Sequence, residues 1–426
     1  MATDILVVGS GAREHALLWK LHQSPRVGRL YAAPGNGGTA ALAENVPIGV
    51  MEFEKLAAFA KEKKIGLTIP GPDDAFVGGI VNIFQAHGLR VWGPTKEAAQ
   101  IEGSKAFAKQ LMREAKIPTA EFSVFSDSTS ALAHVRARGT PIVIKASGLA
   151  LGKGVYVCRS IQEAEQAIQE IMVDRAHKGA GEEVVIEEYL DGPEISVHAL
   201  TGGTTHILFP PSQDHKRAQD GDQGKNTGGM GTIAPVPWVT PEIMASIESQ
   251  VVTPTFEALK KRGVEFKGLL FPGLIVTTSG PKVLEYNARF GDPECQVYMR
   301  LLKTDLLDLL EASAFGTLDA IRDSIEWHRG FAVNIVIASG GYPDEYATGF
   351  PISGIAEAEQ DEHVVVFHAG TKVDNGQVVT AGGRVLGVSA TGSLLEQALD
   401  RAYKAVEKIH FEGMHFRRDI GAKSLT

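Results

Sequence analysis

Short apolar runs at residues 4–9, 29–33 and 65–70 alternate with segments of helical periodicity at 14–22 and 54–63, and this rhythm limits the fold more than any other feature of the chain. Consecutive parallel strands need a connection long enough to return across the sheet, so apolar strands separated by amphipathic helices read as a parallel sheet with crossover helices. A helix over 77–87 and a short strand over 90–93 follow, and Gly93-Pro94 closes this first unit. At 426 residues the chain exceeds the roughly 100–200 residues of one domain, so further units follow.

A helix over 104–115 leads to strands at 120–125, 142–145, 155–158 and 183–189 with helices over 128–138 and 161–173, an α+β unit of about 70 residues, small enough to move as a lid. A sheet restarts at 194–201 and resumes at 268–277 and 282–287. Between them, residues 212–232 read as a long loop rich in Gly, Asp and Lys, and loops of that length usually carry function. Strands near 330–338, 363–371 and 384–389, then a helix over 393–409, make a closing, mostly β domain.

No stretch approaches the roughly 18 apolar residues of a membrane span, and the N-terminus lacks the basic start and apolar run of an export signal, which points to the cytosol. A net charge of -9 gives no general attraction for nucleic acid. Cys158 and Cys295 lie far apart and outside any C-x-x-C pair, as packed thiols do.

Several segments carry chemistry. Gly9-Ser10-Gly11-Ala12-Arg13-Glu14-His15 follows a strand and opens a helix, so its N–H groups either receive a phosphate or form a plain structural turn. Glu14 replaces the third glycine of a dinucleotide fingerprint, and Ala33-Pro34-Gly35-Asn36 stands where an acidic residue would hold a ribose, which argues against NAD. Lys145 ends a strand ahead of Ser147-Gly148-Leu149-Ala150-Leu151-Gly152-Lys153-Gly154, whose glycines permit close approach of a phosphate chain. Gly154 stands where a Walker loop needs a hydroxyl, and a hairpin with an incidental lysine fits equally well. In Glu187-Glu188-Tyr189-Leu190-Asp191-Gly192-Pro193-Glu194, backbone beside Leu190 suits the edge of adenine and Glu194 suits ribose hydroxyls. If residues 283–289 are a strand, a period of two puts Glu285, Asn287 and Arg289 on one face. A carboxylate and an amide oxygen suit magnesium, and Arg289 beyond them would steady negative charge; the alternative is a half-exposed edge strand whose polar residues simply alternate. In the long loop, Asp214 suits an amine, Lys216 or Arg217 a phosphate, and the glycines around Gly229 a small polar substrate, while a merely disordered surface loop fits nearly as well.

In this order, a lysine before a glycine-rich loop, Glu-Glu-Tyr-Leu and Glu-x-Asn-x-Arg resemble the ATP-grasp superfamily. Residues 9–16, 34–36, 71–73, 226–231 and above all Arg289-Phe290-Gly291-Asp292-Pro293-Glu294 look like those of the glycinamide ribonucleotide synthetases, a resemblance that covers essentially the whole chain. It implies a multidomain α/β and α+β fold: a Rossmann-like pre-ATP-grasp domain over 1–103, an ATP-grasp core over 104–119 and 190–327, a mobile lid over 120–189 and a C-terminal β-rich domain over 328–426. It further implies ATP against Lys105, Lys145, Gly152, Lys153, Gly154, Glu187, Leu190 and Glu194, with magnesium or manganese on Glu285 and Asn287. Substrates would meet Gly11, Arg13, Asn36, Asp214, Lys216, Gly229, Arg289 and Asp292, and the catalytic set would be Lys145, Arg289 and Asp292.

The implied activity is the ATP-dependent joining of glycine to 5-phosphoribosylamine through glycyl phosphate, in purine (IMP) biosynthesis. A cytoplasmic monomer acting on small molecules, without nucleic acid or membrane partners, is expected. Two rivals remain: an ATP-grasp ligase for another acid and amine, and a non-catalytic regulator that uses ATP only to change shape. The metal-and-arginine strand argues against the second.

Overall fold

The computed structural model describes residues 2–149, 154–176 and 178–425. Among these, the N-terminal unit is a parallel sheet ordered Glu44–Asn45, Val27–Pro34, Thr3–Gly9, Leu67–Pro70. Ile5, Leu6, Val7 and Val8 are all fully buried, which is why the central strand reads as a continuous apolar run and not as an alternation. From Thr3–Gly9 the chain steps to one side and later returns to the other. The ends of two neighbouring strands, Gly9 and Pro70, therefore flank a switch point of the kind where open α/β sheets keep their binding crevices. The strand expected at 90–93 is a single bridge from Thr68 to Val91. The helix expected over 77–87 is two, Asp73–Gly78 and Ile80–Ala86, parted at Gly79 in the left-handed region (φ +95°).

The unit expected as a lid is an antiparallel sheet ordered Phe122–Phe125, Val184–Glu188, Ile142–Ala146, Val155–Cys158, and it closes a core of its own with helices Ser128–Arg138 and Ile161–Ile168. Asp127 and Ser160 supply the side-chain caps that start these helices, as Ser104 does for Lys105–Ala115. In the core unit, Gly268–Thr277 and Gly280–Asn287 form a hairpin flanked by Glu194–Ser196 and Ala199–Thr201. The register slips within it: Gly273 faces Glu285 but Leu274 faces Val283, so Leu284 is an extra residue, a β-bulge.

Residues 212–232, expected as a loop, instead supply two strands to the C-terminal sheet. Gln213–Asp214 and Gly231–Ala234 lead an antiparallel order continued by Phe331–Ala338, Arg384–Gly392 and Val364–His368, and Arg217–Gln219 pairs with Gln223–Asn226 between them. The glycines that suggested a loop permit close packing: a Cβ on Gly231 would stand 2.9 Å from the Asn334 carbonyl oxygen. Helix Leu395–Val406 backs this sheet.

Phe290 ties the units together, stacking on Trp92 with ring centroids 5.4 Å apart inside a core shared by the first unit and helix Glu294–Leu301. Asn36 makes a second tie. Its Nδ2 donates to the Ser10 and His368 carbonyls at 2.9 and 2.8 Å, and its Oδ1 accepts from the Gly38 and Thr39 N–H groups.

The turn at Gly9 is filled from below by Glu14, whose Oε2 accepts the Gly11 N–H at 2.6 Å. A Cβ on Gly71 would overlap that carboxylate. Gly71→Ala should therefore lower the midpoint of thermal unfolding by roughly 5 °C, measured by calorimetry; an unchanged midpoint would mean that Glu14 moves aside freely.

Candidate active site

Where the lid, the core hairpin and the C-terminal sheet meet lies a cleft of about 890 Å³. The Leu284 bulge shapes its floor. Lys145, at the end of strand Ile142–Ala146, donates to the Leu284 carbonyl at 3.0 Å and lies 3.0 Å from Glu187 Oε2 on the neighbouring lid strand. Lys109 from the core helix lies 3.2 Å from the same oxygen. Burial pushes Lys109 down to about 8, against the pull of Glu187. Lys105 donates to the Gly148 carbonyl at 3.2 Å, and burial lowers its pKa too.

Across the cleft, Glu285 Oε1 lies 3.5 Å from Lys216 Nζ, which is 3.2 Å from Glu194 Oε2. Burial alone would raise Glu285, but Lys216, Lys145 and Lys105 together hold it at about 2. Glu194 does most to raise the pKa of Lys216, so this lysine keeps its charge. Asn287 Oδ1 accepts from Arg289 Nη2 at 3.0 Å. That nitrogen also lies 3.0 Å from Glu102 Oε1, while Glu102 Oε2 accepts the Ala288 N–H at 2.7 Å. Burial pushes Glu102 up to about 7 although Arg289 opposes it. Glu285 and Asn287 share a face as the strand period requires, whereas Arg289 lies beyond the strand end.

Asp292 Oδ2 pairs with Arg384 Nη2 at 3.0 Å, and its Oδ1 accepts from Gln296 at 2.9 Å. Burial would raise Asp292, but Arg384 and Arg13 outweigh it and its pKa is lowered. Arg13 is held by Glu14 Oε1 at 2.6 Å and donates to the Phe290 carbonyl at 3.1 Å. Asp214 is raised well above the usual carboxylate range by burial and by Glu294, and burial raises Glu294 as well. Glu294 Oε1 accepts from the Ser196 hydroxyl at 2.9 Å.

The cleft thus gathers Arg13, Lys105, Lys145, Gly154, Glu187, Leu190, Glu194, Asp214, Lys216, Glu285, Asn287, Arg289 and Asp292, the expected residues in its wall. Gly11 lies behind it, its N–H committed to Glu14. Asn36 lies at the joint with His368, and Gly229 lets the backbone pass Asp214 and Pro293, where a Cβ would come within 2.5 Å of each. Gly152 and Lys153 fall outside the described residues. Sequence reasoning missed Lys109, Glu102, Arg384 and the part Glu294 plays. Lys109 had a signal, four residues after Lys105 on one helix face; Arg384 had none, because its strand arrives from a distant part of the chain.

Removing Arg384 would leave a mostly buried carboxylate without its ion-pair partner, with only Gln296 among the described residues still donating to it. A depressed carboxylate contributes stability above its unfolded pKa and loses it as pH falls through its folded value. Arg384→Met should cost about 3 kcal/mol of stability near neutral pH, with the deficit shrinking below about pH 4 as Asp292 protonates in both proteins. Urea unfolding across pH measures this, and a pH-independent deficit would contradict it.

Three family models match consecutive parts of the chain: phosphoribosylglycinamide synthetase N domain over residues 3–102, its ATP-grasp (A) domain over 103–295 and its C domain over 332–423. A phosphoribosylamine–glycine ligase of Chlorobaculum tepidum is 48% identical over 425 residues, covering 99% of this chain and all of its own. One from Vibrio cholerae is 46% identical over 426 residues, covering 99% of each chain. The crystal structure of a phosphoribosylamine–glycine ligase from Thermotoga maritima superimposes with a TM-score of 0.82 at 34% identity, over 98% of this chain and 100% of that one. The biotin carboxylase domain of Hydrogenobacter thermophilus 2-oxoglutarate carboxylase, solved with MgADP and bicarbonate, shares the fold at 19% identity and a TM-score of 0.74, over 98% of this chain and 92% of its own.

Proposed function

The chain belongs to the phosphoribosylglycinamide synthetase family, and we propose that it joins glycine to 5-phosphoribosylamine, giving glycinamide ribonucleotide, ADP and phosphate in purine biosynthesis. The observation that carries this reading is the convergence of Lys105 and Lys145 from one wall with Glu285 and Asn287 from the other on a single cleft.

In this reading ATP lies with its adenine toward Leu190, its ribose toward Glu194 and its phosphates against Lys105 and Lys145, with Gly152, Lys153 and Gly154 as further nucleotide-binding residues. Glu285 and Asn287 fit a magnesium or manganese ion: both are hard oxygen donors, and the lysines keep the carboxylate ionised down to about 2. Among the described residues no cluster of three or more His, Cys, Asp or Glu would hold a metal by itself, so the remaining ligands would be phosphate oxygens and water, as magnesium prefers. Such a cation supplies neutralisation of the phosphate charge.

The glycine carboxylate attacks the γ-phosphorus of ATP, releasing ADP and forming glycyl phosphate. The amine of 5-phosphoribosylamine then attacks the acyl carbon and expels phosphate. The chain positions the reactants and stabilises charge, which is most of what phosphoryl transfer asks of a protein. Arg289, whose buried Nε has no hydrogen-bond partner among the described residues, steadies the transferring group. Asp292 or Asp214 orients an amine. Gly11, Arg13, Asn36, Lys216 and Gly229 complete the substrate side, Asn36 by holding the Gly9–Gly11 turn in place. The lid over 120–189 closes to keep water from the acyl phosphate. The core then comprises 104–119 and 190–327, between a domain over 1–103 and one over 328–426, with Gln213–Asp214 and Gly231–Ala234 crossing to the sheet of the latter. No helix among the described residues is long and apolar enough to cross a membrane, and we place the protein in the cytoplasm as a monomer.

A coupled assay of ADP release tests the reaction. Release should require both glycine and freshly generated phosphoribosylamine; a demand for bicarbonate or another acid would favour a different ligase, and no turnover a regulator. Glu285→Ala should lower kcat by at least about 100-fold with the fold intact by circular dichroism, and full activity in that variant would reject the metal assignment.

A further inference from the structure

Lys109 takes no part in these steps, yet it is only 2% exposed and lies in the wall of the same cleft. A buried ammonium persists only where acceptors surround it. Four residues after Lys105, it projects from the same face of helix Lys105–Ala115. Its Nζ lies 3.2 Å from Glu187 Oε2 and donates to Thr119 Oγ1 at 2.6 Å; Thr119 in turn donates to the Val283 carbonyl at 2.6 Å. Lys145 Nζ lies 3.0 Å from that same Glu187 oxygen. One carboxylate oxygen thus holds two ammonium groups, one from the core and one from the lid. The other oxygen, Oε1, has no hydrogen-bond partner among the described residues.

An ammonium that turns toward a phosphate must leave its carboxylate behind, and a buried carboxylate stripped of its only cation is strongly disfavoured. Here a second cation stays. We propose that Lys109 is a positioning residue: it keeps Glu187 neutralised so that Lys145 is free to engage the phosphates of ATP. The Thr119 link fixes Lys109 to the segment joining helix Lys105–Ala115 to strand Phe122–Phe125 and to the strand that carries Glu285, so its charge remains in place as Lys145 moves. The charged groups facing it are Glu187 and Lys145 on the lid strands and, more remotely, Glu285 on the core hairpin. At neutral pH it is still charged, since burial lowers it only to about 8.

This inference rests on Lys145 receiving the nucleotide phosphates as proposed above, and the test separates the two. Titration calorimetry of the full chain with ATP and magnesium compares Lys109→Met, Lys109→Arg, Lys145→Met and the Met/Met double variant. Lys109→Met should weaken ATP binding about tenfold while leaving the KM for glycine unchanged, and Lys109→Arg should regain most of the affinity. The double variant should bind no more weakly than Lys145→Met alone, because Lys109 acts through Lys145. Unchanged affinity in Lys109→Met, no recovery in Lys109→Arg, or an added loss in the double variant would overturn the inference. An unchanged affinity in Lys145→Met would overturn the phosphate role of Lys145 and this inference with it.

Discussion

Lys145 reaches two acceptors at the same distance of 3.0 Å, the Glu187 carboxylate on its own sheet and the Leu284 carbonyl across the cleft. The second of these contacts ties the lid sheet to the core hairpin, and it does so through a positively charged group. With Lys109 on the same carboxylate, this corner buries two ammonium groups against one carboxylate, a surplus that only hydrogen-bond acceptors such as the Leu284 carbonyl and the Thr119 hydroxyl make tolerable. A polyanion entering the cleft meets a surplus of positive charge already built. Opposite, Glu285 remains ionised because three lysines surround it, so one cleft presents both a cationic wall and an anionic oxygen.

The bulge at Leu284 makes that arrangement possible. One extra residue shifts the hairpin's register, leaves Leu284 without a cross-strand partner and gives Lys145 a carbonyl to reach, while Glu285 and Asn287 keep a common face. Beyond the strand, Phe290 anchors in the core of the first unit and so aims Arg289 and Asp292 on either side of it. Arg289 meets Glu102 at the end of the first unit, and Asp292 meets Arg384 from the C-terminal sheet. A six-residue motif thereby gathers contacts from three parts of the chain.

This division also explains what was legible beforehand. The alternation of the first hundred residues exposes the parallel sheet, because strands buried on both faces must be apolar throughout. The strand ends carrying Lys145, Glu285 and Asn287 are local features, readable from spacing. Residues 212–232 read as a loop because their sheet partner, Phe331–Ala338, lies about a hundred positions away, and glycines that permit close packing look the same as glycines that permit a turn. The bulge has no compositional mark. Nor does Arg384, whose role depends on where a distant sheet docks. In the sequence Glu14 marks a departure from a dinucleotide fingerprint; in the fold its carboxylate accepts the Gly11 N–H at the helix N-terminus.

In the proposed reaction Lys145 exchanges its protein acceptors for phosphate while Glu285 and Asn287 share a metal with the same nucleotide. A crystal structure of the chain with magnesium and a non-hydrolysable ATP analogue tests it most directly. The account predicts a metal about 2.1 Å from a Glu285 oxygen and from Asn287 Oδ1, with Lys145 Nζ turned from Leu284 onto a phosphate oxygen. A nucleotide bound elsewhere, or bound in the cleft with Lys145 still on Leu284 and Glu187 and no metal on Glu285, would contradict it.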